Sequence, residues 1–259
     1  MSITTNPIPV LNTADFSSCF GGKDGRSIPL DDQGLMRNLE TILLPGSPLG
    51  LKEKISEHIW EIKTPVYSGE KLYIDKRLLK TTSQQTNALP TVDKICKSLK
   101  SLTGTPYLWG GNWPLGINKM CELYPPKVDF SSLPEKIQNT WLLKGVDCSG
   151  LLYWATNGYT PRNTSDLVTY AEGLNIENLK EKDIVLLLKP LDLITWKGHV
   201  IIVIDKETCI ESTPKEGVHM SNLCKRTEEV LKNRIAVNQY PSDLSDFNFV
   251  IRRWYTQQH

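Results

Sequence analysis

The sequence predicts an α+β fold, and three observations carry the prediction. Beyond residue 90 the apolar pattern gives helix-like segments first and strand-like runs afterwards, an order that suits helices laid on a sheet. Residues 50–82 are different: "EHIWEIKTPVYSGEKLYIDKRLLK" alternates apolar with polar residues, carries β-branched and aromatic types, and is split by a Ser-Gly turn. This predicts a small β-rich unit, barrel-like if it closes. Between the two lies "TTSQQTNALP" (81–90), of linker composition, which puts a domain boundary near residue 89 and divides the chain into 1–89 and 90–259.

The elements follow in order. Residues 1–50 are rich in Pro, Gly, Ser and Asp; within them Gly34–Leu44 (GLMRNLETILL) has apolar residues at helical spacing and predicts a short helix. Past the boundary, Val92, Ile95, Leu99 and Leu102 recur at helical spacing, with Thr91 as a cap and Gly104 as a stop. "TPYLWGG" (105–111) is a compact aromatic and glycine segment, and the interlude 112–144 is interrupted by Pro114, Pro125, Pro126 and Pro134. Cys148–Asn157 predicts a second helix that offers Leu151, Leu152 and Ala155 for burial, with Gly158 at its C′ position. "DIVLLLK" (183–189) has the length of a buried strand. "GHVIIVID" (198–205), "TCIEST" (208–213) and "FVIRRWY" (249–255) supply the rest of the sheet.

Composition narrows the function. Thirty Lys and Arg against 29 Asp and Glu, a net charge of +1, give no basic surface for nucleic acid. No stretch approaches eighteen apolar residues, so no membrane span is expected. The first twenty residues hold no Lys or Arg and no apolar run of seven, which argues against a secretory signal; the expected location is the cytoplasm, with export by another route as the alternative. The six cysteines form no C-x-x-C pair, so reduced thiols are expected, without a metal or cofactor.

One of those thiols stands where a nucleophile would. Cys148 opens its helix, where free N–H groups and the helix dipole favour a thiolate, and Asp147 is placed to cap that helix. A thiol nucleophile needs a proton acceptor. Of four histidines, His58 lies in the front unit, His219 in a polar loop and His259 at the last position. His199 opens an apolar strand just after Gly198. The run from His199 turns at "DKET" and returns as "CIEST", so a hairpin sets Glu211 on the strand beside the histidine's, where a carboxylate orients the ring.

These residues resemble the NlpC/P60 family of cysteine peptidases: "YLWGG", "DCSG", "PR" and "GHV" occur in the family's order across residues 90–218. The resemblance implies a reduced papain-like catalytic domain at 90–259, preceded by an SH3-like barrel module. It implies Cys148 as nucleophile, His199 as base and acid, and Glu211 as third member where the family more often has histidine, with His219 as the rival. It implies cleavage of the γ-D-glutamyl–diaminopimelate bond of peptidoglycan stem peptides, either free muropeptides or the wall polymer. Asp147 is implied to read a free L-alanine amine, Ser149 to position substrate, Tyr107 and Trp109 to line the cleft, Arg162 to meet a substrate carboxylate, and Thr164 to offer a pocket hydroxyl. Tyr67 and Tyr73 both stand for the front module's contribution. The chain departs from the family in roughly 27 extra residues, 118–144, which predict a surface excursion: a lid beside the cleft, or a neutral insertion. The competing functions are an acyltransferase or lipid-directed enzyme on the same scaffold, and a catalytically dead binding module.

Overall fold

The structure is a computed structural model that describes residues 1–83, 88–241 and 247–255. His259 and part of the 81–90 linker lie outside the described residues.

The front of the chain folds as one antiparallel sheet. Its strands are β1 (Ser2–Thr4), β2 (Ile8–Leu11), β3 (Leu39–Leu43), β4 (Pro48–Lys54), β5 (Ile59–Lys63), β6 (Tyr73–Asp75) and β7 (Thr81–Thr82), in the spatial order β3-β2-β6-β5-β4-β1-β7; a short helix α1 (Phe16–Cys19) follows β2. β4 pairs with β1 through Pro48 and Leu49 and with β5 from Gly50 onward, so one strand carries the sheet from one side to the other. Ile8, Val10, Leu11, Leu39, Ile42, Leu49, Ile62 and Ile74 are buried inside it.

Residues 34–44 are therefore not a helix. Asp31 accepts the N–H groups of Gln33 and Leu35, Gly34 turns with φ +72°, and Leu39–Leu43 then pairs with β2. Helical spacing competes with β pairing over such a short window, and the sheet partner decides.

The second part begins with α2 (Val92–Ser101) and the two-residue strand β8 (Asn112–Trp113). The interlude then forms α3 (Lys119–Leu123) and α4 (Glu135–Trp141), and β9 (Gly145–Val146) pairs with β8 and leads into α5 (Cys148–Ala155). After α6 (Thr164–Leu167) come β10 (Glu172–Gly173), α7 (Glu181–Leu187), β11 (Leu193–Trp196), β12 (His199–Val203), β13 (Thr208–Thr213), β14 (Gly217–Asn222), α8 (Leu223–Asn233), β15 (Ile235–Ala236) and β16 (Asn248–Arg253). The main sheet runs β10-β16-β11-β12-β13-β14 and is antiparallel, with β15 parallel to β16. It is covered on both faces. Val200 and Ile202 pack with Leu151 and Leu152 of α5, whereas Ile201 and Val203 pack with Ile184 of α7 and Leu223 and Val230 of α8.

Two further expectations are corrected. Residues 183–187 form most of α7, and the run 183–189 is not a strand. Within the helix Ile184 is the buried residue, Leu186 is 83% exposed, and Glu181 and Asp183 suit the positive end of the helix. A short apolar run does not by itself separate strand from helix.

The segment 118–144 is not a surface excursion or lid. Met120, Tyr124, Trp141 and Leu143 are buried in the same cluster as Phe16, Phe20, Met36 and Leu39 of the front sheet. Tyr124 stacks on Phe16 and Phe20, with centroids 5.9 and 5.4 Å apart, and its hydroxyl donates to buried Asp75 at 2.6 Å. Trp141 Nε1 donates to the Tyr124 carbonyl at 2.9 Å. The segment is a bracket that completes the front core. Tyr124→Phe, which strips one charged hydrogen bond from Asp75, is expected to cost about 2 kcal/mol of stability in urea denaturation; a lid would show altered selectivity at unchanged stability.

Candidate active site

Cys148 is the first residue of α5, and Asp147 caps the helix as the sequence predicts, with Oδ1 accepting the Gly150 N–H at 2.6 Å. The thiol is 6% exposed and lies 3.8 Å from the Gly198 carbonyl; the N–H groups of Ser149 and Val200 also reach the sulfur. Gly198 and Val200 flank His199, so the sulfur sits against the turn that presents the imidazole.

The helix start does not make a resting thiolate. Burial, reinforced by the Asp147 charge, pushes the thiol up to about 12, and Arg162 with the Val200 and Ser149 N–H groups only partly offsets this. Desolvation of a closed pocket outweighs the helix terminus.

His199 Nε2 meets Glu211 Oε2 at 2.6 Å. Strand register explains the pairing: Ile202 is opposite Ile210, so Glu211 stands beside Ile201 and shares a face with His199. A carboxylate on Nε2 selects the tautomer with the proton there and leaves Nδ1 as the acceptor. Trp196 packs on the ring with centroids 5.1 Å apart. The rival, His219, is a strand residue in β14 and not a loop residue; its Nε2 lies 3.8 Å from the other oxygen of Glu211.

Sequence reasoning missed Arg226. From α8 it donates Nε to Glu211 Oε1 at 2.6 Å and Nη2 to Oε2 at 3.1 Å. Glu211 is 1% exposed, and its bonds to His199 and Arg226 overcome desolvation and hold its carboxyl at about 2. The signal was out of reach locally, since α8 falls beyond the stretch of family resemblance.

A second network lies behind the thiol. Arg162, 3% exposed, forks onto Asp147 through Nη1 at 3.0 Å and Nη2 at 2.7 Å. It also donates to Ser149 Oγ, Thr41 Oγ1 and the Gly111 carbonyl. All five of its N–H groups are thereby used, so Arg162 holds Asp147 and has none left for a substrate carboxylate. The Ser149 hydroxyl is likewise internal, donating to Asp147 Oδ1 at 3.2 Å. The Thr164 hydroxyl accepts the Gly198 N–H at 2.9 Å and braces the His199 turn, where a pocket hydroxyl was expected. Among the described residues Asp147 Oδ2 accepts from Arg162 Nη2 alone, which leaves one position on that oxygen.

Tyr107 and Trp109 are brought to the same region. Burial and the Asp147 and Cys148 charges keep the Tyr107 phenol protonated, while Trp109, 38% exposed, lies under the Arg37 guanidinium at 3.9 Å. Of the two front-module tyrosines, Tyr73 is buried in β6. Tyr67 bonds Glu40 Oε2 at 2.5 Å and feels Arg162 and Asn163, so it is the one at the junction. Arg37, Glu40 and Thr41 carry no local signature and went unread. Neither did Asn112, whose side chain bonds both the N–H (2.8 Å) and the carbonyl (2.7 Å) of Ile42. Among the described residues no His, Cys, Asp and Glu cluster is arranged to hold a metal, and no helix is long and apolar enough to cross a membrane.

No family model and no curated protein matches the sequence. Among solved structures, the chain is similar to an NlpC/P60 family protein from Bacillus cereus ATCC 10987 (16% identity, 98% of this chain and 62% of that one, TM-score 0.38). It is similar to NlpC1 from Trichomonas vaginalis (15%, 99% and 69%, TM-score 0.37). It is also similar to RipD from Mycobacterium tuberculosis, a non-catalytic NlpC/p60 domain protein adapted to peptidoglycan binding (16%, 62% and 95%, TM-score 0.37). The chain thus spans 62% of the length of the Bacillus cereus protein.

Proposed function

We propose that the protein is a cysteine peptidase of the NlpC/P60 type that hydrolyses the γ-D-glutamyl–diaminopimelate bond of peptidoglycan stem peptides, with an SH3-like front module walling the cleft. The observation that carries the proposal is the seating of Cys148 against the His199 turn, with Glu211 on the far nitrogen of the ring. The motif order "YLWGG", "DCSG", "PR", "GHV" supports the substrate class.

In this mechanism the neutral thiol gives its proton to His199 Nδ1 as sulfur attacks the amide carbon. The imidazolium, stabilised through Nε2–H by Glu211, returns the proton to the leaving amine as the C–N bond breaks. Water, deprotonated by Nδ1, then cleaves the thioester, freeing the γ-carboxyl and restoring the thiol. The Tyr107 phenol is the donor for the negative charge that grows on the carbonyl oxygen; Tyr107→Phe is expected to lower kcat roughly 100-fold with little change in KM. Asp147 Oδ2 is the position for a free L-alanine ammonium, shared with Arg162.

The test is incubation of L-Ala-γ-D-Glu-diaminopimelate and of intact sacculi with wild type and Cys148→Ala, read by mass spectrometry. Release of L-Ala-γ-D-Glu by wild type alone supports the proposal. No Cys148-dependent cleavage of either substrate overturns it, and transfer of the acyl group to an amine in place of water would make the protein an acyltransferase. Unimpaired turnover of N-acetylated tripeptide removes the amine role from Asp147. Cleavage of free tripeptide only, with the protein in the cytoplasmic fraction, fits recycling; cleavage of sacculi fits an exported enzyme.

A further inference from the structure

Arg252, in β16, is a buried cation with no anion among the described residues. It is 8% exposed; Nε donates to the Tyr170 carbonyl and Nη2 to the Ala171 carbonyl, both at 2.8 Å. Three of its five N–H groups have no hydrogen bond among the described residues, and no carboxylate there pairs with it. Its neighbour Arg253, by contrast, forks onto Asp192. Burial lowers the pKa of Arg252. A buried charge is ordinarily paired.

The guanidinium lines a half-open cavity of about 360 Å³ together with Thr169, Asn175, Asn238, Gln239 and Tyr240. Among the described residues no acidic side chain lines it, and the walls are rich in donors. Asn238 Oδ1 is occupied by the N–H groups of Ile176 and Glu177, and Nδ2 gives one hydrogen to Glu177 Oε2 at 3.4 Å, so its second N–H is what that amide offers a ligand. Gly173 makes room for the guanidinium: a Cβ there would meet Arg252 Nη1 at 2.6 Å. The cavity also abuts the catalytic turn. The Tyr240 hydroxyl accepts the Lys197 N–H at 3.3 Å, and Val168 and Thr169 continue α6, whose Thr164 holds Gly198.

We propose that this cavity is a binding site for a small oxyanion-bearing ligand, with Arg252 as its charge partner and the Asn and Gln amides as neutral donors. The site is separate from the Cys148 cleft and independent of the reaction assigned there. A carboxylate or a phosphate would suit the planar fork equally.

Thermal denaturation at fixed ionic strength tests it, with inorganic phosphate and acetate titrated against chloride. Wild type is expected to gain about 3 °C in Tm at ten times the dissociation constant of the preferred anion. Arg252→Gln should lose that gain, and Arg252→Lys should keep part of it. Gln239→Glu, at an exposed position on the rim, guards against a folding defect: the new carboxylate should leave basal Tm unchanged or higher and abolish the anion response. Phosphate acting alone identifies a phosphoryl ligand, and acetate acting alone a carboxylate one. No gain from either anion, or equal gains in wild type and Gln239→Glu, overturns the proposal.

Discussion

Arg162→Met is expected to destabilise the protein by about 3–5 kcal/mol, because it leaves the Asp147 carboxylate buried without its counter-charge. Asp147 is 7% exposed and Arg162 3%, so neither ion can recover much hydration by a small movement. The same change strips donors from Ser149, Thr41 and the Gly111 carbonyl. The double variant Asp147→Asn/Arg162→Met removes both charges while keeping a side-chain oxygen to cap α5. It should regain more than half of the loss, and a double-mutant cycle in urea measures the coupling. A loss below about 1 kcal/mol for the single variant would mean that water or a rearranged neighbour satisfies Asp147. The thiol reports independently: Arg162 is the charge that restrains the upward push on Cys148, so alkylation by iodoacetamide at neutral pH should slow further in Arg162→Met.

Glu211→Gln is expected to lower kcat roughly 1,000-fold, since a neutral amide no longer stabilises the imidazolium or fixes its tautomer. The substitution also carries a pH signature. The carboxyl is held at about 2 in the folded protein against 4.5 for a free glutamate, so the folded state favours the ionised form. That stabilisation, on the order of 3 kcal/mol, is fully present above pH 4.5 and is lost as pH falls from there towards 2. The stability gap between wild type and Glu211→Gln should therefore be flat above pH 4.5 and close below it. A gap that stays constant down to pH 2 would show that Glu211 stabilises through shape and not through charge.

The parts of the site legible in the sequence are those fixed by short-range geometry. Asp147 and Cys148 stand at a helix start that any reader of caps would mark, and a four-residue turn between two apolar runs is enough to bring Glu211 to the face of His199. The unread parts depend on distant partners. Arg226 reaches Glu211 from a helix 15 residues on, and Thr41 meets Arg162 across 121 positions. The same physics explains the misread elements. Gly34–Leu44 has helical spacing, yet its strand is set by β2 and by the Asn112 side chain. Residues 183–189 form an apolar run, yet only Ile184 and Leu188 are buried in the core while Leu186 and Leu187 face outward. For Arg162 the residue was found and the role mistaken, because sequence cannot show that a neighbour already occupies every donor.

The bracket formed by 118–144 also bears on how the chain comes to be folded. The front sheet is synthesised first, but its core lacks Met120, Tyr124, Trp141 and Leu143 until those residues have been made. At roughly 5–20 residues per second, translation from residue 83 to residue 143 takes roughly 3–12 s. For that interval the nascent chain carries an open apolar face with Phe16, Phe20 and Leu39 uncovered, which makes this stage of synthesis the moment at which a chaperone would engage it.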